Sequence, residues 1–390
     1  MNRSISLFGG LLAGMPLLAS AQLQAISDEA MSEVTGQAFV SIDRQYHPDA
    51  QKNVAYTRVN LGLDLDVQLE ADVLELGRYE RNGEEAGTSD VLINDFALGY
   101  INNQAYFDRN PDAPRQRKAD GSAYSEGEIV PFSISNPFFE FAFDEGTDEV
   151  VGVRLGFGEA QGILSGNIQN LTGDVNVNIQ ATGADLDDAD SNGNWVDQVI
   201  KLLGPIILRQ NALRSKAKLV YGPDHPQIGE LDPVRATHAG VPNGERFIVE
   251  DVPFLIRLAL GAIGGGASSE IEIIGDQVHI IASDCKVIGI EACFPLTNFE
   301  SLAIGQIEEV NGERRVVAPE SGLFLSFQTQ QLEWLKDVSK SNPTVDDFIR
   351  TGTGGFFNIP SGAVEFSLGE ALGGIDRYRT EYIDRGRGLF

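Results

Sequence analysis

The chain has 390 residues, of which 57 are acidic and 29 basic, and its formal net charge is −28 at pH 7. A surface this negative repels nucleic acid and anionic lipid headgroups, so neither is an expected partner. The charge favours solubility outside the cell, with divalent cation binding as the alternative interpretation, and the length allows one large β domain or two ordinary ones.

The first 21 residues have the pattern of a cleavable signal peptide. Arg3 precedes an apolar stretch, residues 5–18, and residues 19–21 (Ala-Ser-Ala) form a small-x-small site for signal peptidase. The alternative is a membrane anchor, but glycines and a proline interrupt the stretch, which is shorter than the ~20 residues of a spanning helix. The sequence therefore predicts export to the periplasm, outer membrane or cell surface, with a mature chain beginning at Gln22.

Residues 23–38 read Leu-Gln-Ala-Ile-Ser-Asp-Glu-Ala-Met-Ser-Glu-Val-Thr-Gly-Gln-Ala. They predict a short helix followed by a turn into a first strand. This stretch resembles the start of exported gammaproteobacterial proteins of the FilA-like type, which are pilus-associated or surface proteins. The resemblance implies an envelope or surface role and carries no functional residue with it.

Residues 59–73 show the clearest secondary-structure pattern in the chain. Every odd position from Val59 to Val73 is apolar, and the residues between them are polar or glycine. Strict alternation is typical of a β-strand with one aliphatic face. The prediction is one continuous amphipathic strand, which would approach ~50 Å at about 3.3 Å per residue.

Shorter alternating or apolar stretches recur along the chain, with Gly, Asn and Asp between them. They lie at 37–43, 91–101, 139–143, 151–157, 171–179, 217–221, 246–250, 271–281, 299–305, 323–329 and 364–368. The sequence therefore predicts an all-β fold with a large, mostly antiparallel sheet, either an elongated sandwich or barrel-like, and with two or three short helices.

Helical patterns are few. Residues 196–203 and 330–338 predict helices, and the apolar segment 254–263 predicts a third piece packed on the sheet. In the predicted organisation, a β-rich region covers 22–221, a loop or linker covers 222–245, and a second β-rich region covers 246–390. The two regions belong either to one domain or to two.

An acidic segment, residues 185–197, resembles the first half of the calcium loop of EF-hand and dockerin-like proteins. Oxygen-bearing residues stand at loop positions 1, 3 and 5, and Gly193 stands at position 6. Position 12, where the loop requires a bidentate glutamate, is Val199. The alternatives are an acidic turn and a calcium site, and calcium is the one cofactor that the sequence suggests. The metal ligands would be Asp188, Asp190, Asn192, Asn194 and Asp197.

The two cysteines, Cys285 and Cys293, are the only ones in the chain. Export places them in an oxidising compartment, so a disulfide closing a short loop is predicted. Two buried free thiols are the alternative. A metal site is disfavoured because no histidine or third cysteine lies at ligand spacing.

Catalytic motifs are not evident in the sequence. Ser165 lies in Gly-Ile-Leu-Ser-Gly, which is out of register with the Gly-x-Ser-x-Gly motif, and the four histidines are scattered. The leading hypothesis is a noncatalytic envelope or surface protein with a structural or adhesive role, whose partners are other envelope or surface proteins.

Two alternatives stay open. One is an outer-membrane or periplasmic protein that binds or transports apolar molecules, for which the terminal Phe390 is suitable but the irregular segment 382–390 is not. The other is an exported hydrolase whose site is assembled from residues distant in sequence.

Overall fold

The computed structural model describes residues 40–80, 87–182, 211–258, 271–287 and 289–381, and β-strands dominate these ranges. The first ten strands are β1 (Val40–Tyr46), β2 (Val54–Leu61), β3 (Asp64–Val67), β4 (Leu69–Leu76), β5 (Val91–Leu98), β6 (Tyr100–Ile101), β7 (Ile129–Val130), β8 (Phe132–Ser135), β9 (Phe138–Asp144) and β10 (Val150–Gly156). The next ten are β11 (Glu159–Leu171), β12 (Gly173–Val175), β13 (Val177–Thr182), β14 (Ala212–Val220), β15 (His238–Gly240), β16 (Arg246–Val249), β17 (Ile271–Ile274), β18 (Gln277–Ile281), β19 (Lys286–Val287) and β20 (Ile290–Glu291). The last nine are β21 (Cys293–Pro295), β22 (Ser301–Ile304), β23 (Gln306–Val310), β24 (Glu313–Ala318), β25 (Phe324–Gln328), β26 (Leu332–Leu335), β27 (Phe348–Thr351), β28 (Gly354–Ile359) and β29 (Glu365–Ser367).

Helices are short. Helix α1 spans Gln104–Arg109 and α2 spans Leu368–Gly373, and a third helical stretch covers 254–258. Helix α2 begins at a capping box in which the Glu370 amide donates to Ser367 Oγ and the Ser367 amide donates to Glu370 Oε2. The predicted all-β class with two or three short helices is confirmed.

Three larger sheets contain most of the strands. The first has seven strands in the order β1-β2-β9-β10-β25-β28-β12; the second has six, in the order β3-β8-β11-β5-β4 with β22 also paired to β11. The third has eight strands, with β17-β18-β16-β14-β13-β29 in sequence and β15 and β21 attached through β14. All pairs within these sheets are antiparallel except β12–β28 and β13–β29.

The eight-stranded sheet forms the nearly closed small barrel of the fold. Side chains from most of its strands converge on one apolar interior, and α2 contributes Leu368 and Ala371 to it. This interior and the six-stranded sheet share the largest hydrophobic cluster. The segment 222–245, predicted as a loop or linker, contains β15 and lies within the compact unit Phe39–Phe390.

The predicted continuous strand over 59–73 is wrong. The structure divides it among β2, β3 and β4, and β2 belongs to the seven-stranded sheet whereas β3 and β4 belong to the six-stranded one. The chain changes sheet at Gly62-Leu63, where Leu63 donates its amide to the Leu61 carbonyl at 2.9 Å. Alternation continues across both breaks because each piece is itself a strand. The pattern therefore identifies β-strands, but it does not show with which other strand each one pairs.

The predicted helix over 330–338 is also wrong, because the structure places strand β26 there. Strand β26 forms an antiparallel pair with β27 and buries Leu332, Trp334 and Leu335 beneath the seven-stranded sheet. Burial of these large side chains in a hairpin overrides the helical propensity of the segment. The predicted helix over 196–203 lies outside the described residues. Of the segment 254–263, predicted to pack on the sheet, residues 254–258 are described; they are helical, and Phe254, Leu255 and Leu258 are exposed.

Candidate binding surfaces

The two faces of the seven-stranded sheet differ in what covers them. The inner face carries Tyr56, Ala142 and Phe324, and the hairpin of β26 and β27 covers it. Successive residues of a strand point to opposite faces, so the neighbours of these residues lie on the outer face. On the outer face, Ile42 of β1, Phe139 of β9 and Phe327 of β25 are exposed.

The outer face is apolar and exposed. Register places Ile42, Val59, Phe139 and Leu155 in one row across four strands. Ile42 is 69% exposed, Phe139 43% and Phe327 45%. The side chains of this outer face, apart from the fully buried Ala55 and from Leu325, which packs against the largest hydrophobic cluster, are Val40, Ile42, Arg44, Tyr46, Thr57, Val59, Leu61, Phe139, Phe141, Phe143, Val150, Val153, Leu155 and Phe327. We call this set the open face.

The open face is almost free of formal charge. Among the described residues that form it, Arg44 alone is charged, and its guanidinium lies 5.6 Å from the centre of the Tyr46 ring. The rest of the chain is rich in carboxylates. With strands ~4.8 Å apart and about 3.3 Å per residue, five strands over six residues give a face of roughly 500 Å². Contiguous exposed apolar surface of this size marks an interaction site more often than an inert one.

The open face stands on a rigid support. Beneath it, Arg154 is 1% exposed and donates from Nε to Glu140 Oε2 at 2.6 Å and from Nη1 to the Leu335 carbonyl at 2.8 Å. The guanidinium also lies about 5 Å from the rings of Phe324 and Trp334. Burial lowers the pKa of Arg154, and the Glu140 carboxylate opposes that shift. The ion pair therefore fixes β9 and β10 to the hairpin below them.

Strand β1 is the edge of this sheet and pairs with β2. His47 donates its backbone N–H to the Val54 carbonyl, so alternate residues such as Arg44 and Tyr46 direct their N–H groups away from β2. An edge with outward N–H and C=O groups can accept another strand. The open face and this edge therefore border each other.

The barrel encloses a second candidate site. Its interior holds a cavity of about 80 Å³ lined almost entirely by aliphatic and aromatic side chains. Leu213 and Ala217 of β14, Phe247 of β16 and Phe366 of β29 are among them. Apolar cavities of this kind stay dry and accept apolar molecules.

A polar cleft of about 1130 Å³ adjoins the barrel cavity, and Ile290, Phe294 and Leu372 line both. The charged residues of the cleft are Asp112, Lys286, Glu291, Glu308, Glu309, Arg314 and Glu365. Partial burial raises the pKa of Glu365, while nearby Arg314 opposes the rise. The cleft thus presents a predominantly acidic entrance beside an apolar interior.

Of the residues predicted to form sites, the structure shows the two cysteines together. Cys285 and Cys293 form a disulfide with Cα atoms 5.1 Å apart, and both are buried beside Val220. The predicted calcium ligands Asp188, Asp190, Asn192, Asn194 and Asp197 lie outside the described residues. Within the described ranges, no cluster of three His, Cys, Asp or Glu side chains has the geometry to hold a metal ion.

Ser165 and His47, which belong to residue types used in catalysis, are both buried among other side chains. Ser165 is fully buried, and its Oγ lies 2.9 Å from Ser301 Oγ, which in turn accepts the Tyr378 amide. Nε2 of the buried His47 lies 2.9 Å from Glu333 Oε2, and its ring packs against that of Phe348 at a tilt of 55°. Neither group opens onto the cleft or the cavity.

The open face was missed from the sequence. A signal for it exists in Phe-Phe-Glu-Phe-Ala-Phe over 138–143, where Phe138 lies on the inner face and Phe139, Phe141 and Phe143 on the outer one. A strand with large apolar side chains on both faces indicates that both faces have apolar contacts to make.

Comparison with known sequences gives one match. Residues 3–104 match the profile of a family of unknown function (DUF6160). The matched stretch contains β1 and β2, which form one side of the open face. No curated protein and no solved structure matches the chain. In the part of the chain that is described, no helix has both the length and the apolar character to cross a membrane.

Proposed function

We propose that the chain is a noncatalytic exported protein of the cell envelope or surface with a structural or adhesive role. The observation that carries this proposal is the open face, which is an aromatic-rich surface with one charged side chain, Arg44, on a strongly acidic chain. Such a surface binds by shape and apolar contact. The signal-peptide pattern of residues 1–21 and the FilA-like start at 23–38 support the location. The proposed partners are other envelope or surface proteins.

Cell fractionation combined with a variant of the open face tests this proposal. Cells producing the tagged chain are separated into cytoplasm, periplasm, outer membrane and medium, and binding of cells to one another or to a surface is measured in parallel. The variant carries Phe139→Glu and Phe327→Glu. Val345→Glu is the matched control, because Val345 is 52% exposed and lies outside the open face.

The expected result is an envelope or extracellular location for all three proteins and a loss of binding in the Phe139→Glu, Phe327→Glu variant alone. A cytoplasmic location would contradict the proposed export. Equal binding by the variant and the control would show that the open face does not mediate binding.

A second candidate function is binding of apolar small molecules, which the cavity of the barrel favours. Ala217→Phe places a larger side chain at the cavity wall and leaves the open face unchanged. Xenon, which apolar cavities accept, should bind the parent protein saturably and bind this variant weakly, whereas the Phe139→Glu, Phe327→Glu variant should bind it like the parent. Equal binding by the parent and Ala217→Phe would exclude the cavity as the site.

A further inference from the structure

We infer that the open face is the contact between two copies of this chain, each laying its face on that of the other. This inference rests on the proposed function and deepens it by naming the partner. A face-to-face pair of sheets is the arrangement of a β-sandwich, with the sheets ~10 Å apart and their side chains interdigitated. Because both copies contribute the same surface, the contact closes on itself as a twofold dimer.

Charge favours a second copy over a lipid surface. Two copies that each carry a formal charge of −28 repel one another, and a patch without carboxylates gives them the least repulsive approach. The one charged side chain on the open face, Arg44, has the opposite sign to the whole chain. An anionic bilayer would instead meet the acidic turn between β9 and β10, which carries Asp144, Glu145, Asp148 and Glu149.

The area of the open face fits a reversible dimer. Two faces of roughly 500 Å² bury about 1,000 Å² together, the lower bound for a specific interface. The aromatic side chains Phe139 and Phe141 of β9 and Phe327 of β25 lie on the two strands that flank β10, and they supply the anchors that such a small interface requires. The dimer should therefore dissociate on dilution.

Salt gives the dimer a specific signature. Screening weakens the repulsion between two acidic copies, and an apolar contact does not depend on ion pairs. Raising the ionic strength should therefore strengthen the dimer. An interface held by Arg44 and the carboxylates of the other copy would weaken under the same change.

Edge pairing through β1 is the competing geometry. It would join two copies through outward N–H groups such as that of Arg44 and leave the open face exposed. Arg44→Pro separates the two arrangements, because proline removes one outward donor while an edge strand tolerates it. The substitution leaves the aromatic residues of the open face in place.

The test is sedimentation velocity of the mature chain over a wide concentration range, with a melting curve for every variant. The parent and Val345→Glu should form the same dimer, and Arg44→Pro should dimerise like Arg44→Ala, which also removes the Arg44 side chain from the open face but keeps the outward N–H. Phe139→Glu with Phe327→Glu should raise the dimer dissociation constant at least about 100-fold. If that variant does not fold, Ile42→Glu replaces it, since Ile42 is 69% exposed on the edge strand.

Three outcomes overturn the inference: a parent that is monomeric at every concentration, a dimer that survives the open-face variants, and a dimer that Arg44→Pro dissociates while Arg44→Ala does not. Flotation with vesicles of phosphatidylcholine and phosphatidylglycerol tests the lipid alternative. Recovery of the parent with the vesicles, but not of the open-face variant, would also overturn the inference of a dimer. A monomer found in the envelope fraction refutes only this inference. A dimer found in the cytoplasm refutes only the proposed location.

Discussion

Arg154 on β10 and Glu140 on β9 are direct cross-strand partners, and they form a buried ion pair with Nε and Oε2 2.6 Å apart. The pair lies on the inner face of the sheet whose outer face is open. Removing one member of a buried pair leaves the other charge without compensation. We therefore expect Arg154→Ala to lower the free energy of unfolding by about 3–5 kcal/mol, as measured by urea denaturation.

An exposed pair provides the control. Arg246 Nη2 of β16 and Glu272 Oε2 of β17 are 2.9 Å apart across the intervening strand β18, and both side chains are nearly half exposed. Arg246→Ala should lower the free energy of unfolding by less than about 1 kcal/mol. The double variant Arg154→Met, Glu140→Leu should recover much of the loss, because it removes both charges together. Equal costs for Arg154→Ala and Arg246→Ala would show that the buried pair does not fix β9 and β10.

The fold class followed from the period-two pattern, whereas the pairing of strands did not. The segments around Phe139–Phe143 and Val151–Phe157 are strands as predicted. In the segment 59–73, alternation continues while the chain passes from one sheet to another at Gly62-Leu63, so alternation does not reveal a change of sheet. Pairing depends on contacts between residues far apart in sequence, which a local pattern does not contain.

The candidate surfaces were less predictable than the strands. The disulfide between Cys285 and Cys293 could be predicted because a chain with two cysteines has one possible pairing. The open face depends on β25 lying beside β10, with Phe327 opposite Val153, although the two residues are far apart in sequence. The barrel cavity likewise collects strands from β13 to β29. Both surfaces are therefore properties of topology and not of any one segment.

The disulfide should contribute modestly to stability. It links residues eight apart in sequence, and the chain-entropy model gives about 2–3 kcal/mol for so short a loop. The variant Cys285→Ser, Cys293→Ser should therefore have a free energy of unfolding lower than that of the parent by this amount, as measured by urea denaturation. Alkylation and mass spectrometry of protein taken directly from cells checks the bond itself. Two alkylated thiols in that sample would contradict the prediction.

Calcium binding to the acidic segment remains a prediction from sequence. Asp188, Asp190 and Asn192 can supply three oxygens, and calcium would offset the repulsion among neighbouring aspartates. A ligand that binds only the folded state at 100 times its Kd adds roughly 2.7 kcal/mol to the unfolding free energy. Calcium should therefore raise the melting temperature, and Asp190→Ala should remove most of the rise. An equal effect of magnesium, or an unchanged response of Asp190→Ala, would indicate general screening of the acidic surface.

Glu365 in the polar cleft should make stability depend on pH. Partial burial raises its pKa above the ordinary 4.5, Arg314 and Arg214 oppose the rise, and Glu370 adds to it. Between the ordinary and the raised value, the folded state holds a proton that the unfolded state has lost. The contribution of Glu365 to stability is therefore fully present below pH 4.5 and is lost as the pH rises through the raised pKa.

This pH dependence predicts the behaviour of Glu365→Gln, a variant that keeps the side-chain shape and cannot ionise. The variant should unfold at a higher urea concentration than the parent at neutral pH, because the parent then carries a carboxylate that is partly removed from water. The difference should shrink as the pH falls below the ordinary pKa, where Glu365 is protonated in both states. Glu309→Gln removes one carboxylate from the exposed rim of the same cleft and controls for the change in net charge. A Glu365→Gln variant that is less stable than the parent at neutral pH would mean that the ion pair with Arg314 outweighs the burial of the carboxylate.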